Sequence, residues 1–247
     1  MLKLSPDLPE DLPKPQTKFM NQNRTRLSLS RPITSYGKIR EAIGRIRRNR
    51  RLFIDQSRIT GKEYLEIGCG PQTHEGFIHM DYEWRQHVDL CWDVTKGIPL
   101  EASTLSGVYT EHCIEHLPFD SVDHVLAECY RVLKPGGSIR IVVPDGQLYL
   151  ARYVDMMNGN TDLEMPYASD DSYKSLYSPI MSVNRIFRAH GHLFIHDFDM
   201  LRQLLELNHF VDVQRQTFHV GRDSKMLIDT SSREIESLYI EASKPSS

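Results

Sequence analysis

The chain has 247 residues, 40% hydrophobic and 26% charged, an ordinary globular composition, and no apolar run approaches the roughly 20 residues that span a bilayer. A formal net charge of -3 gives no global attraction to nucleic acid. Cys69, Cys91, Cys113 and Cys129 are widely separated with no Cys-x-x-Cys pair, which suggests neither a cysteine zinc site nor a disulfide framework and predicts reduced, mostly buried thiols.

The opening Met1-Leu2-Lys3-Leu4-Ser5-Pro6-Asp7 lacks the apolar core of a secretory signal, so a cytoplasmic protein is expected. Residues 1–33 carry Pro6, Pro9, Pro13, Pro15 and Pro32 without sustained periodicity and read as a mobile tail. Residues 34–60 form a basic amphipathic helix and linker. Ile39, Ile43 and Ile46 recur at helical spacing, with Lys38, Arg40, Arg45, Arg47, Arg48, Arg50 and Arg51 around them. The simplest expectation is that these isoleucines pack on the main domain.

From residue 61 to 247, strand-like and helix-like stretches alternate. This predicts an α/β fold, a Rossmann-like and mostly parallel sheet with helices on both faces and a closing antiparallel strand pair. Strands are expected at 64–67, 77–81, 107–110 and 138–143. A helix is expected from Asp120 or Ser121 as cap, with Val122, Val125, Leu126, Cys129, Val132 and Leu133 buried, ending at Lys134-Pro135-Gly136-Gly137. A second helix runs over 199–207 with Asn208 as left-handed cap, and strands at 210–218 and 237–243 close the sheet. The insertion at about 150–190, rich in Tyr, Met, Asp and Ser, occupies the place of a substrate lid.

The strand ending Glu66-Ile67-Gly68-Cys69-Gly70-Pro71 places two glycines where the backbone turns sharply beside a ligand. Glu66 and the missing third glycine of a dinucleotide fingerprint, where Thr73 stands, disfavour a pyrophosphate and suit a ligand with an ammonium and a sulfonium. Asp81 ends the next strand, where a ribose is held in open α/β sheets, and Asp93 in Asp89-Leu90-Cys91-Trp92-Asp93-Val94 is placed to meet adenine.

Together with Gly107-Val108-Tyr109-Thr110-Glu111-His112-Cys113-Ile114-Glu115-His116-Leu117-Pro118 and Arg131-Val132-Leu133-Lys134-Pro135-Gly136-Gly137, these residues resemble the class I S-adenosylmethionine-dependent methyltransferases of the type 11 branch. The resemblance is strong over about 62–145 and looser over 190–245. It implies that Glu66, Gly68, Cys69 and Gly70 line the methionine end of S-adenosylmethionine, that Asp81 binds ribose and Asp93 adenine, and that Glu111 and the residues after Thr110 face the methyl group. The implied acceptor is a small molecule or glycan-like compound, methylated by in-line displacement. His112, Glu111 or His192 could act as base if the acceptor is a hydroxyl.

The chain departs from the pattern in one respect: too few residues separate the first two strands for a helical crossover, which needs roughly a dozen or more. The Ile39, Ile43, Ile46 face is expected to cover that part of the sheet. Two other functions remain open on sequence: an inactive methyltransferase-fold binding module, and RNA methylation through the arginine helix, against which the missing Asn/Asp-Pro-Pro-Tyr/Phe element argues. His112-Cys113-Ile114-Glu115-His116 matches the His-x-x-Glu-His pattern of inverted zinc proteases, but in this setting it reads as a chance match. His190, His192, His196, Asp197 and Asp199 read as pocket or structural residues, so no metal is expected.

Overall fold

The computed structural model describes residues 35–160, 164–166 and 178–246. The predicted tail, 1–33, and part of the predicted lid lie outside the described residues. Seven strands form one sheet: β1 Tyr64–Ile67, β2 Phe77–Asp81, β3 Leu90–Cys91, β4 Leu105–Glu111, β5 Leu133–Pro144, β6 Val211–Gln216 and β7 Ser237–Ser243. Their order is β3-β2-β1-β4-β5-β7-β6. The first five are parallel, β7 runs antiparallel to β5, and β6 antiparallel to β7.

This is the Rossmann order with the outermost position taken by an antiparallel pair. The chain leaves β1 toward β2 on one side and returns to β4 on the other, so the carboxyl ends of β1 and β4 flank a switch point where a ligand crevice opens. β1 is buried along its whole length and β4 and β5 are largely buried, as expected for central parallel strands covered on both faces. β6 is half exposed, a polar edge strand carrying Asp212 and Arg215.

On one face, Leu65, Ile67, Ile78, Met80, Val108 and Ile141 form the main core with helix α3, Phe119–Val132, and helix α6, Phe198–Leu207. The opposite face is covered differently. Tyr64, Phe77, Tyr109, Val142 and Tyr239 pack against Phe218, Met226 and Ile228 from the long β6–β7 connection, not against an α-helix. Arg140 on that face is fully buried, 2.7 Å from Glu241 Oε1 and paired with Asp229, and it also donates to the Thr217 and Val220 carbonyls. Satisfied in this way, a buried charge pins the connection to the sheet; removing one partner would leave it uncompensated.

The basic segment folds as helix α1, Ser35–Arg47, but its isoleucines do not cover the sheet. Ile39 and Ile46 are more than half exposed. α1 instead docks through Gly44 and its arginines at the β3 edge: Gly44 lies against Trp84, Arg47 over the Phe53 and Trp84 rings, and Arg48 on the Tyr82 ring while donating to the Tyr82 carbonyl. The reason is geometric. Gly44 has no side chain to hold the helix away, and guanidinium groups pack their planes on aromatic rings. Apolar contact with the core comes from Ile54 and Ile59, in and beside the short helix α2, Gln56–Ile59.

The shortened crossover is real. β1 and β2 pair in parallel although a turn joins them, because Gly68 and Gly76 adopt left-handed backbone at its two ends, φ 74° and 82°. Smaller corrections concern caps. α3 begins at Phe119 behind Pro118 with no side-chain cap, leaving Asp120 in the first turn to face the helix dipole. α6 begins one residue early because Asp197 accepts from Met200 N. Asn208 is not left-handed; the left-handed residue is His209, φ 67°, while Asn208 donates to Asp123. The two-residue β3 was not anticipated. Among the described residues no helix is long and apolar enough to cross a membrane.

Candidate active site

A cleft of about 570 Å³ opens at the carboxyl ends of β1, β2 and β4, the switch point of the sheet. Gly68 lies at its base: a Cβ there would meet Cys113 Sγ at 2.6 Å, so only glycine lets the β1 and β4 loops meet. Asp81 and Glu83 line one wall, Trp92, Asp93 and Val94 a second, and His112, Cys113 and Leu117 a third.

Asp81 is preorganised by its own loops. One oxygen accepts from Gly70 N at 2.8 Å and the other from Glu83 N at 2.6 Å, with Arg85 3.5 Å away. Burial raises its pKa despite these bonds. Each carboxylate oxygen retains a lone pair for a hydroxyl donor. Asp93 caps the next turn through Oδ1, which accepts from Thr95 N and Oγ1, and its own N–H is bonded to Asn49 from the loop after α1. The Trp92 indole nitrogen at this wall is buried with no hydrogen-bond partner among the described residues. An acid on the β2 end, an unused donor and apolar walls from Met80, Val94 and Leu117 fit a nucleoside.

Three residues expected at this ligand sit elsewhere. Glu66 is buried on the other face of β1, bonded to His74 Nδ1 at 3.0 Å and 3.7 Å from His79 Nε2. With the first helix reduced to a turn, its carboxylate serves that turn rather than lining the cleft. Cys69 is buried against Val88 and Cys91, and its thiol is held protonated by burial and by the nearby Asp81 and Glu66. Glu111 accepts from Thr230 N at 2.9 Å and Thr230 Oγ1 at 2.6 Å, tying β4 to the β6–β7 connection. Gly70 contributes its N–H to Asp81. Gly68, Asp81, Asp93 and His112 are the expected residues that the fold brings to one cleft.

A second cavity, about 370 Å³, adjoins the first, sharing His112 and His116. Its walls include Tyr149 of helix α4, Gly146–Met157, and Arg185 and Ile186 of helix α5, Pro179–Arg188, with His192, Arg233 and Glu236. α4 and α5 are the described parts of the predicted insertion. His112 has left-handed backbone, φ 46°, which turns its ring toward the join, and its Nε2 is 2.8 Å from Ser237 Oγ. Burial drives its pKa down to about 2, with Arg233 and neighbouring histidines adding to the effect. His192 is bonded through Nδ1 to the Ile186 carbonyl at 2.7 Å, and burial lowers its pKa too.

Sequence reasoning passed over Glu115. It is fully buried between the cavities, neither carboxylate oxygen has a hydrogen-bond partner among the described residues, and burial pushes its pKa up to about 8. The signal was present as the acid of the His-x-x-Glu-His pattern. The segment is a short 3-10 turn, Ile114–His116, and not the helix that pattern requires in proteases. Of the remaining predicted residues, His196 is buried and forms a backbone β-bridge with Asp145, Asp197 caps α6, and Asp199 is exposed.

Residues 72–141 match the family model described as a methyltransferase domain. No curated protein matches the sequence. Among solved structures, phosphoethanolamine N-methyltransferase 2 of Haemonchus contortus, in complex with S-adenosyl-L-methionine, is similar over 75% of this chain at 14% identity and a TM-score of 0.44. This chain spans about half, 49%, of that protein. A SAM-dependent methyltransferase from Archaeoglobus fulgidus is similar over 83% of this chain and 94% of its own, at 17% identity and a TM-score of 0.43.

Proposed function

We propose that the chain, whose residues 72–141 match a methyltransferase domain, is a class I methyltransferase of the type 11 branch that uses S-adenosylmethionine and transfers a methyl group to a small-molecule or glycan-like acceptor held in the second cavity. The observation that carries this reading is the pair of joined cavities: one at the switch point with Asp81 and Asp93 in its walls, the other polar and bounded by α4 and α5.

S-adenosylmethionine, when bound, supplies an electrophilic methyl group open to in-line displacement. The chain's own residues bind and align. Asp81, fixed by the Gly70 and Glu83 amides, accepts from a ribose, and Asp93 offers its free oxygen to an adenine amino group. Gly68 keeps the loop low enough for the methionine end. His112 and His192 belong to the acceptor side, His112 at the join of the cavities and His192 behind it. Alignment at near-attack distance is the main catalytic contribution in such a reaction, worth effective molarities of about 10⁵ M or more. Helices α4 and α5 contribute the acceptor wall through Tyr149, Arg185 and Ile186.

Calorimetric titration with S-adenosylmethionine and S-adenosylhomocysteine tests the reading. Micromolar binding, lost in Asp81→Ala and weakened in Asp93→Ala, is expected. Absence of binding by folded wild-type protein would overturn it.

A further inference from the structure

The unpartnered carboxylate of Glu115 lies at the centre of a histidine cluster. Its Oε1 is 3.7 Å from His116 Nε2, 4.0 Å from His192 Nε2 and 3.7 Å from His112 Nδ1. These separations are too long for hydrogen bonds, so a fully buried acid is left without one. They suit a shared cation. Two atoms bonded to one zinc ion at about 2.1 Å each lie about 3.4 Å apart in a tetrahedral site, so the three side chains would close in by roughly 1 Å or less around a bound ion.

The far sides of two of the rings are anchored. His192 Nδ1 is held by the Ile186 carbonyl, and His112 Nε2 meets Ser237 Oγ. Metal-binding histidines almost always carry such an outer bond, which fixes the tautomer and turns the other nitrogen toward the ion. The ligand atoms of Glu115, His116 and His192 all lie within 4.8 Å of one another. They face the second cavity, leaving one side of the cluster open.

We propose that Glu115, His116 and His192 bind a divalent cation of the zinc class, and that its open position takes an oxygen of the methyl acceptor. Two imidazoles and a carboxylate are a borderline-hard set suited to zinc or cobalt, and three protein ligands with an open fourth place are the pattern of a catalytic rather than a structural zinc. A cation here would settle the buried carboxylate and orient an acceptor hydroxyl beside the cofactor cleft. The metal site stands on its own geometry; the role toward the acceptor rests on the methyltransferase reading.

The test uses the full-length protein, stripped with a chelator and titrated with Zn²⁺ and Co²⁺ against a chromophoric competitor. One equivalent is expected to bind in the micromolar range or tighter, with visible cobalt absorption from a four- or five-coordinate site. His192→Ala and Glu115→Gln should each weaken binding by about 100-fold or more, since even outer-shell changes cost 10- to 100-fold. His74→Ala, in the separate Glu66 cluster, should not change it. Acetohydroxamate, an oxygen-donor probe, should shift the cobalt spectrum.

No uptake by folded wild-type protein, or uptake unchanged in a His116→Gln, His192→Ala double variant, overturns the site. Uptake with no spectral response to acetohydroxamate overturns the open position. Uptake without any S-adenosylmethionine binding in calorimetry would sink the methyltransferase reading and leave the metal site standing; the reverse result would sink the metal site alone.

Discussion

The protein holds two glutamate–histidine clusters built from the same residue types, and they differ in whether their bonds close. Around Glu66 the central carboxylate is bonded: His74 Nδ1 bonds it, the His74 amide donates to His79 Nε2, and Asp89 accepts from the His79 amide and from Lys62 through one oxygen and pairs with Arg58 through the other. Around Glu115, His112 and His192 are bonded outward, and the carboxylate they surround has no side-chain hydrogen-bond partner among the described residues. A closed network holds a fold together, whereas an open one stores an unmet demand that a ligand can satisfy. Residue composition alone does not separate the two; hydrogen-bond accounting does.

The largest test of this contrast is Glu66→Ala. It removes a buried carboxylate from a closed network, and loss of about 3 kcal/mol of stability is expected, measured by urea unfolding. Cofactor affinity should fall with it, because the 68–76 turn loses its anchor.

Next comes acid. Burial by itself would raise the Asp89 pKa, but the His79 and Lys62 hydrogen bonds outweigh it and hold it at about 2, below its ordinary 3.8. A depressed folded-state pKa gives stability that is complete above the unfolded value and is lost as pH falls from about 4 to about 2. Roughly 2 kcal/mol should disappear over that window and be absent from the pH profile of Asp89→Asn.

Glu115→Leu should have the opposite sign to Glu66→Ala. In metal-free protein, no hydrogen bond is lost and an orphaned polar group is removed, so stability should rise by about 1 kcal/mol. A loss of that size would show that Glu115 is bonded after all and break the comparison. The smallest effect is expected on α1: Ile39→Glu and Ile46→Glu should change stability by less than about 0.5 kcal/mol, because both side chains are largely exposed.

The parallel core and the cleft were legible because their signals are local. Alternating strand and helix patterns, the glycines after β1 and the acid ending β2 each act within a few residues of where they stand in the chain. What the sequence concealed depends on distant partners. The isoleucine stripe of α1 has the period of a buried face, yet Gly44 and two arginines meeting Tyr82 and Trp84 decide which side docks. Glu66 and Glu111 stand at the expected strand ends, but His74 and Thr230 claim their carboxylates. Glu115 looked like part of a chance motif because His192, which completes the cluster, comes from beyond α5.

The missing first helix also bears on how the protein is made. Its place over Tyr64, Phe77 and Tyr109 is filled by Phe218, Met226 and Ile228, and Arg140 waits for Asp229 and Glu241. A nascent chain emerging from the ribosome therefore carries one sheet face bare, with an unpaired arginine in it, until residues 218 to 241 have followed. Contacts between residues so far apart in the chain slow folding, and they tie completion of this sheet face to arrival of the β6–β7 pair.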